Sequence, residues 1–352
     1  MTAEHSSSNP LSTASTPPVA DNPQKKKSNR SKILGILFAL VVFSWLIYRV
    51  AQHWRDILPN VDKISLLDAF SASILFAIFL VTFRMITWWR IIAGLGHPLP
   101  FRPALRIWTS SELARYVGSG ISQMLGRVYL CKPYGVDAGS ASASQILELI
   151  LFLLANILVA VSCMLWLGVK IHGQARVWFF IACALIPLLL LTLHPNIFYG
   201  LLNRVLRKFR KAEVQKHLPA ATLLLLLAWN VLGLFFQGSA IWLLVHKPLG
   251  LKPQHWWVVT GAYCLAWMAG FIAVWAQAGL GVREPVFVLA AWVALPFSVR
   301  LTLKNPKVLL DFLSILLRLW ATVGELMLAT LAYFLDYRGA IGATPPPDLP
   351  DR

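Results

Sequence analysis

The sequence QAGLGVRE at residues 277–284 and the earlier sequence RYVGSG at residues 115–120 interrupt segments that are otherwise apolar. Both contain glycines, which weaken a helix, and an arginine, which is costly in hydrocarbon. Because hydrocarbon cannot hydrogen-bond a freed backbone group, a broken helix at membrane depth persists only inside protein or beside a wet cavity. Two such breaks, one in each half of the chain, are typical of a membrane transporter core.

The composition is that of a membrane protein. The chain has 352 residues, of which 57% are hydrophobic and only 13% are charged. Four stretches without Asp, Glu, Lys or Arg are each long enough to cross a hydrocarbon core of about 30 Å as a helix. They are residues 149–169, 177–203, 218–245 and 253–282. We therefore expect an all-α, polytopic helical membrane protein of about eight transmembrane helices, with one or two re-entrant segments that contain glycine.

The apolar runs predict the domain organisation. Residues 1–31 are rich in Ser, Thr and Pro and predict a disordered, basic cytoplasmic tail. Residues 32–337 form the predicted membrane domain, and 338–352 form a Pro-rich tail. The stretch near 104–127 is expected to enter and leave on one side. The predicted crossings are 32–50, 66–89, 143–169, 176–194, 219–246, 255–276, 285–300 and 308–335.

The positive charge is best explained by membrane topology. The net charge is +17, from 32 Lys+Arg against 15 Asp+Glu, and the basic residues cluster at the ends of apolar segments. Such clusters mark cytoplasmic loops, so the N-terminus is predicted to be cytoplasmic. Arg84, Arg90, Arg102 and Arg106 are assigned to the same side. No soluble basic domain is evident, which excludes nucleic acid as a partner.

The sequence offers no sign of a metal, a cofactor or a catalytic centre. The four cysteines lack metal or redox spacing, and no histidine pair has the spacing of a zinc motif. No P-loop, nucleophile elbow or dinucleotide fingerprint is present. We expect no metal site, no cofactor and no catalytic residue, and the chain is not predicted to be an enzyme.

Charged residues beside the first break predict an anion-binding pocket. Glu112 and Arg115 are three apart and can pair on one helix face, and Arg127 follows the break. Gly118 and Gly120 would let the backbone approach a ligand, while arginine forks grip phosphate oxygens. The alternative is an interfacial helix with ordinary solvated charges.

The second break carries a similar set of residues. Gly279 and Gly281 precede Arg283 and Glu284, and Pro285 opens the next helix. The pair is predicted to be functional because ionisable groups within membrane segments are costly, with a plain capping motif as the alternative. Glu148 lies within an apolar span on a polar stripe, so it is predicted to face a cavity.

Three charged residues of the last span share one helical face because they are seven apart. They are Asp311, Arg318 and Glu325. Ionisable groups inside a membrane helix face the bundle interior, where they either line a cavity or pair with other helices. The spacing favours neither reading over the other.

Five segments of the chain form a recognisable pattern. They are WWR at 88–90, GHPLPF at 96–101, LARYVGSG at 113–120, GRVYL at 126–130 and residues 276–284. With these segments the chain resembles the transmembrane region of lysylphosphatidylglycerol synthases, which also defines a family of stand-alone, flippase-like membrane proteins. The resemblance covers about residues 35–335. It departs at Gly118 and Ser119, which replace Pro-Gly, and at Gln277, which replaces Pro.

This resemblance implies movement of anionic phospholipids or polyprenyl-phosphate-linked glycans across the bacterial cytoplasmic (inner) membrane. Because only residues 338–352 follow the predicted membrane domain, we expect the aminoacyl-transferase domain of the synthases to be lacking. Membrane lipids, lipid-linked sugars and envelope-synthesis enzymes are the expected partners. Two rival functions are a membrane-embedded glycosyltransferase and a non-catalytic scaffold for envelope synthesis. The first needs a carboxylate base near an outer loop, where only Asp56 and Asp62 are predicted to lie.

Overall fold

The computed structural model describes residues 51–117, 120–166, 194–208, 217–273, 276–303 and 305–341, with a few single positions between 44 and 191. All regular structure in these residues is helical. A π-helical segment, Phe79–Met85, joins α2 to α3. The helices are α1 (Trp54–Val61), α2 (Leu66–Ile78), α3 (Ile86–Gly94), α4 (Phe101–Val117), α5 (Gly120–Cys131), α6 (Ala138–Trp166), α7 (Pro195–Lys208), α8 (Ala220–Leu249), α9 (Trp256–Ile272), α10 (Arg283–Ala294), α11 (Phe297–Thr302) and α12 (Pro306–Ile341).

Four helical stretches are long and apolar enough to cross a membrane. They are Leu66–Gly94, Ala138–Leu165, Ala220–Leu249 and Pro306–Asp336. They coincide with the predicted crossings at 66–89, 143–169, 219–246 and 308–335, and this architecture is that of a multi-pass helical membrane protein. The predicted crossings 32–50 and 176–194 lie almost wholly outside the described residues, as does the predicted tail 1–31.

The predicted crossing at 285–300 is not a single helix. α10 has 12 residues and ends before Leu295, which is extended with ψ 134°. The six-residue helix α11 follows Pro296. Proline disfavours helical backbone at the residue before it, which explains the break. At 1.5 Å per residue α10 spans about 18 Å, well short of a bilayer core.

The last helix is longer than the sequence predicted. α12 continues to Ile341 and so takes in the first residues of the expected tail at 338–352. The first proline of that tail is Pro345, so no proline ends the helix at the predicted boundary.

Both glycine-containing breaks join pairs of helices that pack against each other. The first hairpin, residues 101–131, consists of α4 and α5; a Cβ atom built at Gly126 would lie 3.5 Å from the Cβ of Ala114. The second hairpin, residues 256–294, consists of α9 and α10. The turn of the second hairpin lies against α4 of the first. The second turn therefore lies beside the first hairpin.

The helix α6 is the centre of the bundle. Within its most apolar window 61% of the residues are buried, against 28–39% in the other three long helices. It packs against α3, α8 and α9. Its first turn is capped by Asp137, whose carboxylate accepts a hydrogen bond from the Ser140 amide at 2.8 Å. Two polar side chains of α6, Gln145 and Glu148, are buried inside the bundle.

Polar contacts hold α8 against the first long helix. The indole of Trp229 donates to the Thr82 carbonyl at 2.9 Å, inside the π-helical segment. The Asn230 amide donates to the hydroxyl of Thr87 at 3.1 Å. Transmembrane helices commonly associate through such hydrogen bonds and through small residues at their closest contacts. Here the close contact is Gly233, which lies directly against Phe83.

Replacing Gly238 should weaken the contact between α8 and α9. A Cβ atom at this position would overlap the side chain of Thr260, including its Cβ at 3.1 Å. We expect Gly238→Ala to lower the apparent melting temperature in detergent, because two packed helices must move apart. Gly200→Ala is the matched control, since nothing lies within 4 Å of that Cβ and alanine favours the helix. Equal melting temperatures for the two variants would contradict the close packing.

Candidate anion-binding site

A cavity of about 270 Å³ lies between the two hairpins, α6 and the π-helical segment. Its polar lining comes from all four of these elements. Its apolar lining is contributed mainly by the end of α9 and by the turn that follows. The polar residues are Arg84, Glu112, Arg115, Gln123, Arg127, Gln145, Glu148 and Arg283, and the others include Leu149, Trp267, Gly270, Phe271, Ala278 and Gly279.

Arg127 is the most deeply buried charge of the site, with 1% of its surface exposed. Its guanidinium donates to Glu148 at 2.5 Å, to Glu112 at 2.9 Å and to the Ser111 hydroxyl at 2.8 Å. Residues from α4, α5 and α6 are thereby tied together. A buried ion pair tolerates removal of one partner poorly, since the other charge is left in a low-dielectric interior.

Arg84 belongs to the same network and was not predicted as a site residue. It lies 3.2 Å from Glu148 and places its guanidinium 3.7 Å from the centre of the Phe152 ring. Arg84 is buried in the cavity wall rather than exposed in a basic flank. The signal was present: a lone arginine inside an apolar helix is a functional-site hypothesis by default. π-helical segments are also frequent at functional sites.

Arg115 links the first hairpin to the last helix. It donates to Glu112 at 2.7 Å and to Glu325 at 2.5 Å. The hydroxyl of Tyr116 also donates to Glu325, at 2.9 Å. The pairing of Glu112 with Arg115, three residues apart, agrees with the prediction. The contact with Glu325 shows that this face of α12 holds other helices together.

The second break is a tight turn with left-handed backbone at three positions. The φ angles are 51° at Ala278, 72° at Gly279 and 79° at Gly281. Only glycine adopts this conformation without strain, so Ala278 is held there by its surroundings. Its carbonyl accepts a hydrogen bond from Arg318 at 2.8 Å. The amide of Gly281 donates to Glu284 at 2.8 Å, so that donor is used within the turn.

Arg283 differs from the other arginines because no carboxylate forms an ion pair with it in the part of the chain that the structure describes. Its Nε atom is buried without a hydrogen-bond acceptor. Its guanidinium lies 5.4 Å from the centre of the Trp267 ring. The charged neighbours that act on it, Arg318 and Arg115, are both cations. Arg283 is thus a cation that faces the cavity with its charge uncompensated.

The structure brings six of the thirteen predicted site residues together around one cavity. Arg115, Arg127, Glu148, Gly279, Arg283 and Glu112 line the cavity. Glu284 lies instead beside a neighbouring space of about 30 Å³, together with Arg318, which is 3.8 Å from it. Gly120 begins α5, Gly281 lies in the second turn, and Gly118 lies outside the described residues. Asp311 is buried on α12 but is not part of the cavity lining.

Replacing Gly279 should displace Arg283. A Cβ atom there would lie 2.7 Å from the Nε of Arg283 and 2.9 Å from the backbone of Gly270. We expect Gly279→Ala to abolish ligand binding, because the added methyl occupies the place of the guanidinium. Gly250→Ala is the control, since Gly250 also has a positive φ but open space around it. Both changes carry backbone strain of about 1 kcal/mol, so binding that survives in both variants would contradict the steric role.

Comparison with known proteins gives no family assignment. No model of a known protein family matches the chain, and no curated protein is found as a relative. Among the described residues, no group of three His, Cys, Asp or Glu side chains is placed to hold a metal ion. The function must therefore be argued from the cavity.

Proposed function

We propose that this chain is a flippase-like membrane protein that binds an anionic lipid headgroup in the cavity and moves it across the membrane. The ligand is an anionic phospholipid or a polyprenyl-phosphate-linked glycan. The observation that carries this proposal is Arg283, an arginine without an acid partner in a cavity lined by three further arginines. Guanidinium groups bind phosphate oxygens in a fixed, bidentate geometry.

The apolar part of the cavity supports a lipid as the ligand. Leu149 and Phe271 line the cavity, and Phe271 is 37% exposed. Its neighbour Ile272 is 65% exposed, and Leu125 of α5 is 63% exposed. An amphiphile could keep its acyl or prenyl chains beside these exposed side chains while its headgroup contacts the arginines. A small soluble anion would gain nothing from this apolar side.

The helical hairpins supply a route for alternating access. In this proposal both hairpins are re-entrant elements whose tips reach membrane depth, since neither α5 nor α10 is long enough to cross. α12 contacts the first hairpin through Glu325 and the second through Arg318. Movement of α12 would therefore shift both hairpins together, which is how rocking of packed elements exposes a fixed site to each side in turn.

The resemblance to the membrane region of lysylphosphatidylglycerol synthases supports the same proposal. We further propose that the protein lies in the bacterial inner membrane and, from its basic N-terminal flank, that its N-terminus is in the cytoplasm. The rival glycosyltransferase needs a free carboxylate as base. Both carboxylates of the cavity, Glu112 and Glu148, are held in ion pairs instead. The geometry therefore favours transport without covalent chemistry.

The test is lipid movement in liposomes that contain the purified protein. Fluorescent phosphatidylglycerol, fluorescent phosphatidylcholine and a short polyprenyl-phosphate sugar would be followed by loss of signal on adding a membrane-impermeant quencher. We expect the protein to accelerate movement of an anionic lipid and to leave phosphatidylcholine near the rate of empty liposomes. Movement of none of these lipids by a folded, correctly inserted protein would overturn the proposal in favour of a scaffold.

A further inference from the structure

The charges of the site form an almost complete set of ion pairs. Three arginines and three glutamates alternate along one connected chain, in which every contact is 3.2 Å or shorter. A charged group that is taken out of water is stable only when an opposite charge compensates it. This chain is therefore neutral as a whole. Its order is Arg84, Glu148, Arg127, Glu112, Arg115 and Glu325.

The second hairpin adds Arg283 and Glu284, and α12 adds Arg318. Glu284 faces Arg318 at 3.8 Å, which compensates that pair. Arg283 is left over, with Trp267 and two cations around it rather than an acid. Glycines make the room for it, since a Cβ atom at Gly270 or Gly279 would overlap its side chain. The site thus carries one positive charge in excess, on a residue that lines the cavity.

We infer that the ligand carries a single net negative charge, as a phosphodiester headgroup does. This inference rests on the proposed function and narrows it. A phosphomonoester carries about two negative charges near neutral pH, so one of them would stay uncompensated in the cavity. A zwitterionic phosphodiester would leave Arg283 uncompensated. Binding a monoanion beside Arg283 makes the whole cluster neutral.

Short-chain lipids test this inference directly by titration against the purified protein at pH 8. Dihexanoyl phosphatidylglycerol carries one charge, dihexanoyl phosphatidic acid about two and dihexanoyl phosphatidylcholine none overall. We expect the first to bind the wild-type protein roughly tenfold more tightly than either of the others, the scale of one charge-assisted hydrogen bond. Equal or tighter binding of phosphatidic acid or phosphatidylcholine would overturn the inference.

Neutralising a glutamate should reverse the preference. Glu112→Gln and Glu325→Gln each keep a hydrogen-bonding side chain and raise the excess charge of the site to about two. We expect both variants to prefer phosphatidic acid over phosphatidylglycerol. Glu325 lies behind Arg115 and outside the cavity lining. Glu325→Gln therefore changes the net charge of the site without replacing a residue of the cavity wall. An unchanged preference in folded variants would show that charge balance does not select the ligand.

The liposome experiment separates the two proposals. If an anionic lipid moves but phosphatidic acid binds best, the charge inference fails and the transport proposal stands. If no lipid binds and none moves, both fail together. If phosphatidylglycerol binds best and the preference reverses in the glutamate variants, the inference holds whatever the rate of movement.

Discussion

Glu148→Gln should destabilise the protein more than any other single change considered. We expect a loss of about 3–5 kcal/mol, which corresponds to a fall of roughly 10 °C in apparent melting temperature. Glu148 contacts both Arg127 and Arg84 and accepts a hydrogen bond from the Trp108 indole at 3.2 Å. It is 3% exposed. Two buried guanidinium groups would lose their shared carboxylate.

A second change in the same protein tests this cause. Arg84→Met removes one of the two cations that Glu148→Gln leaves behind, while Arg127 keeps Glu112 as its partner. The double variant Arg84→Met/Glu148→Gln should therefore recover about half of the lost stability, a positive coupling typical of residues in one network. Additive losses would contradict a shared ion-pair network.

An ion pair at the edge of the bundle provides the control. Asp68 pairs with Lys247 at 2.5 Å, but the lysine side chain is 44% exposed. Exposed pairs contribute about 1 kcal/mol or less, so Asp68→Asn should shift the melting temperature by a few degrees at most. Tryptophan fluorescence during heating, with size-exclusion of the heated sample, measures all variants. Glu148→Gln melting together with Asp68→Asn would show that the buried network contributes little.

The long helices could be predicted from the sequence because one apolar run decides each of them. The run near 66–89 became a helix at Leu66–Gly94, and that near 219–246 a helix at Ala220–Leu249. The predicted crossing at 285–300 is divided into two helices because Pro296 disfavours helical backbone at Leu295, although the segment as a whole is apolar. The apolar composition of a window predicts that a segment is a membrane helix, whereas a break in that helix depends on the backbone at one residue.

The site could be predicted only in part, for a related reason. Arg115 and Glu112 are three apart, so their pairing follows from helix geometry alone. The contact between Arg115 and Glu325 joins residues 210 positions apart, and no local pattern specifies it. Arg84 is absent from the predicted site because its place in the sequence, with the arginines that follow it, indicates a basic flank that sets the membrane topology. The sequence also does not show that Arg283 lacks an acidic partner, because Glu284 is its immediate neighbour along the chain.

Arg283→Gln should abolish transport of the anionic lipid while leaving the fold intact. The residue forms no ion pair among the described residues, so its loss strands no buried carboxylate. We expect a melting temperature within a few degrees of wild type, since surplus positive charge is removed rather than created. Transport should fall at least tenfold, because the remaining arginines are already held by glutamates.

Two matched variants separate charge from shape at this position. Arg283→Lys keeps the charge but loses the bidentate fork, so it should retain part of the transport. Arg115→Gln also removes one arginine from the cavity, but it strands Glu325 and should lower both stability and transport. The liposome assay and the melting curve must therefore be measured on the same preparations. Wild-type transport in Arg283→Gln would remove the main support for the proposed function, because the uncompensated cation would then have no ligand to compensate it.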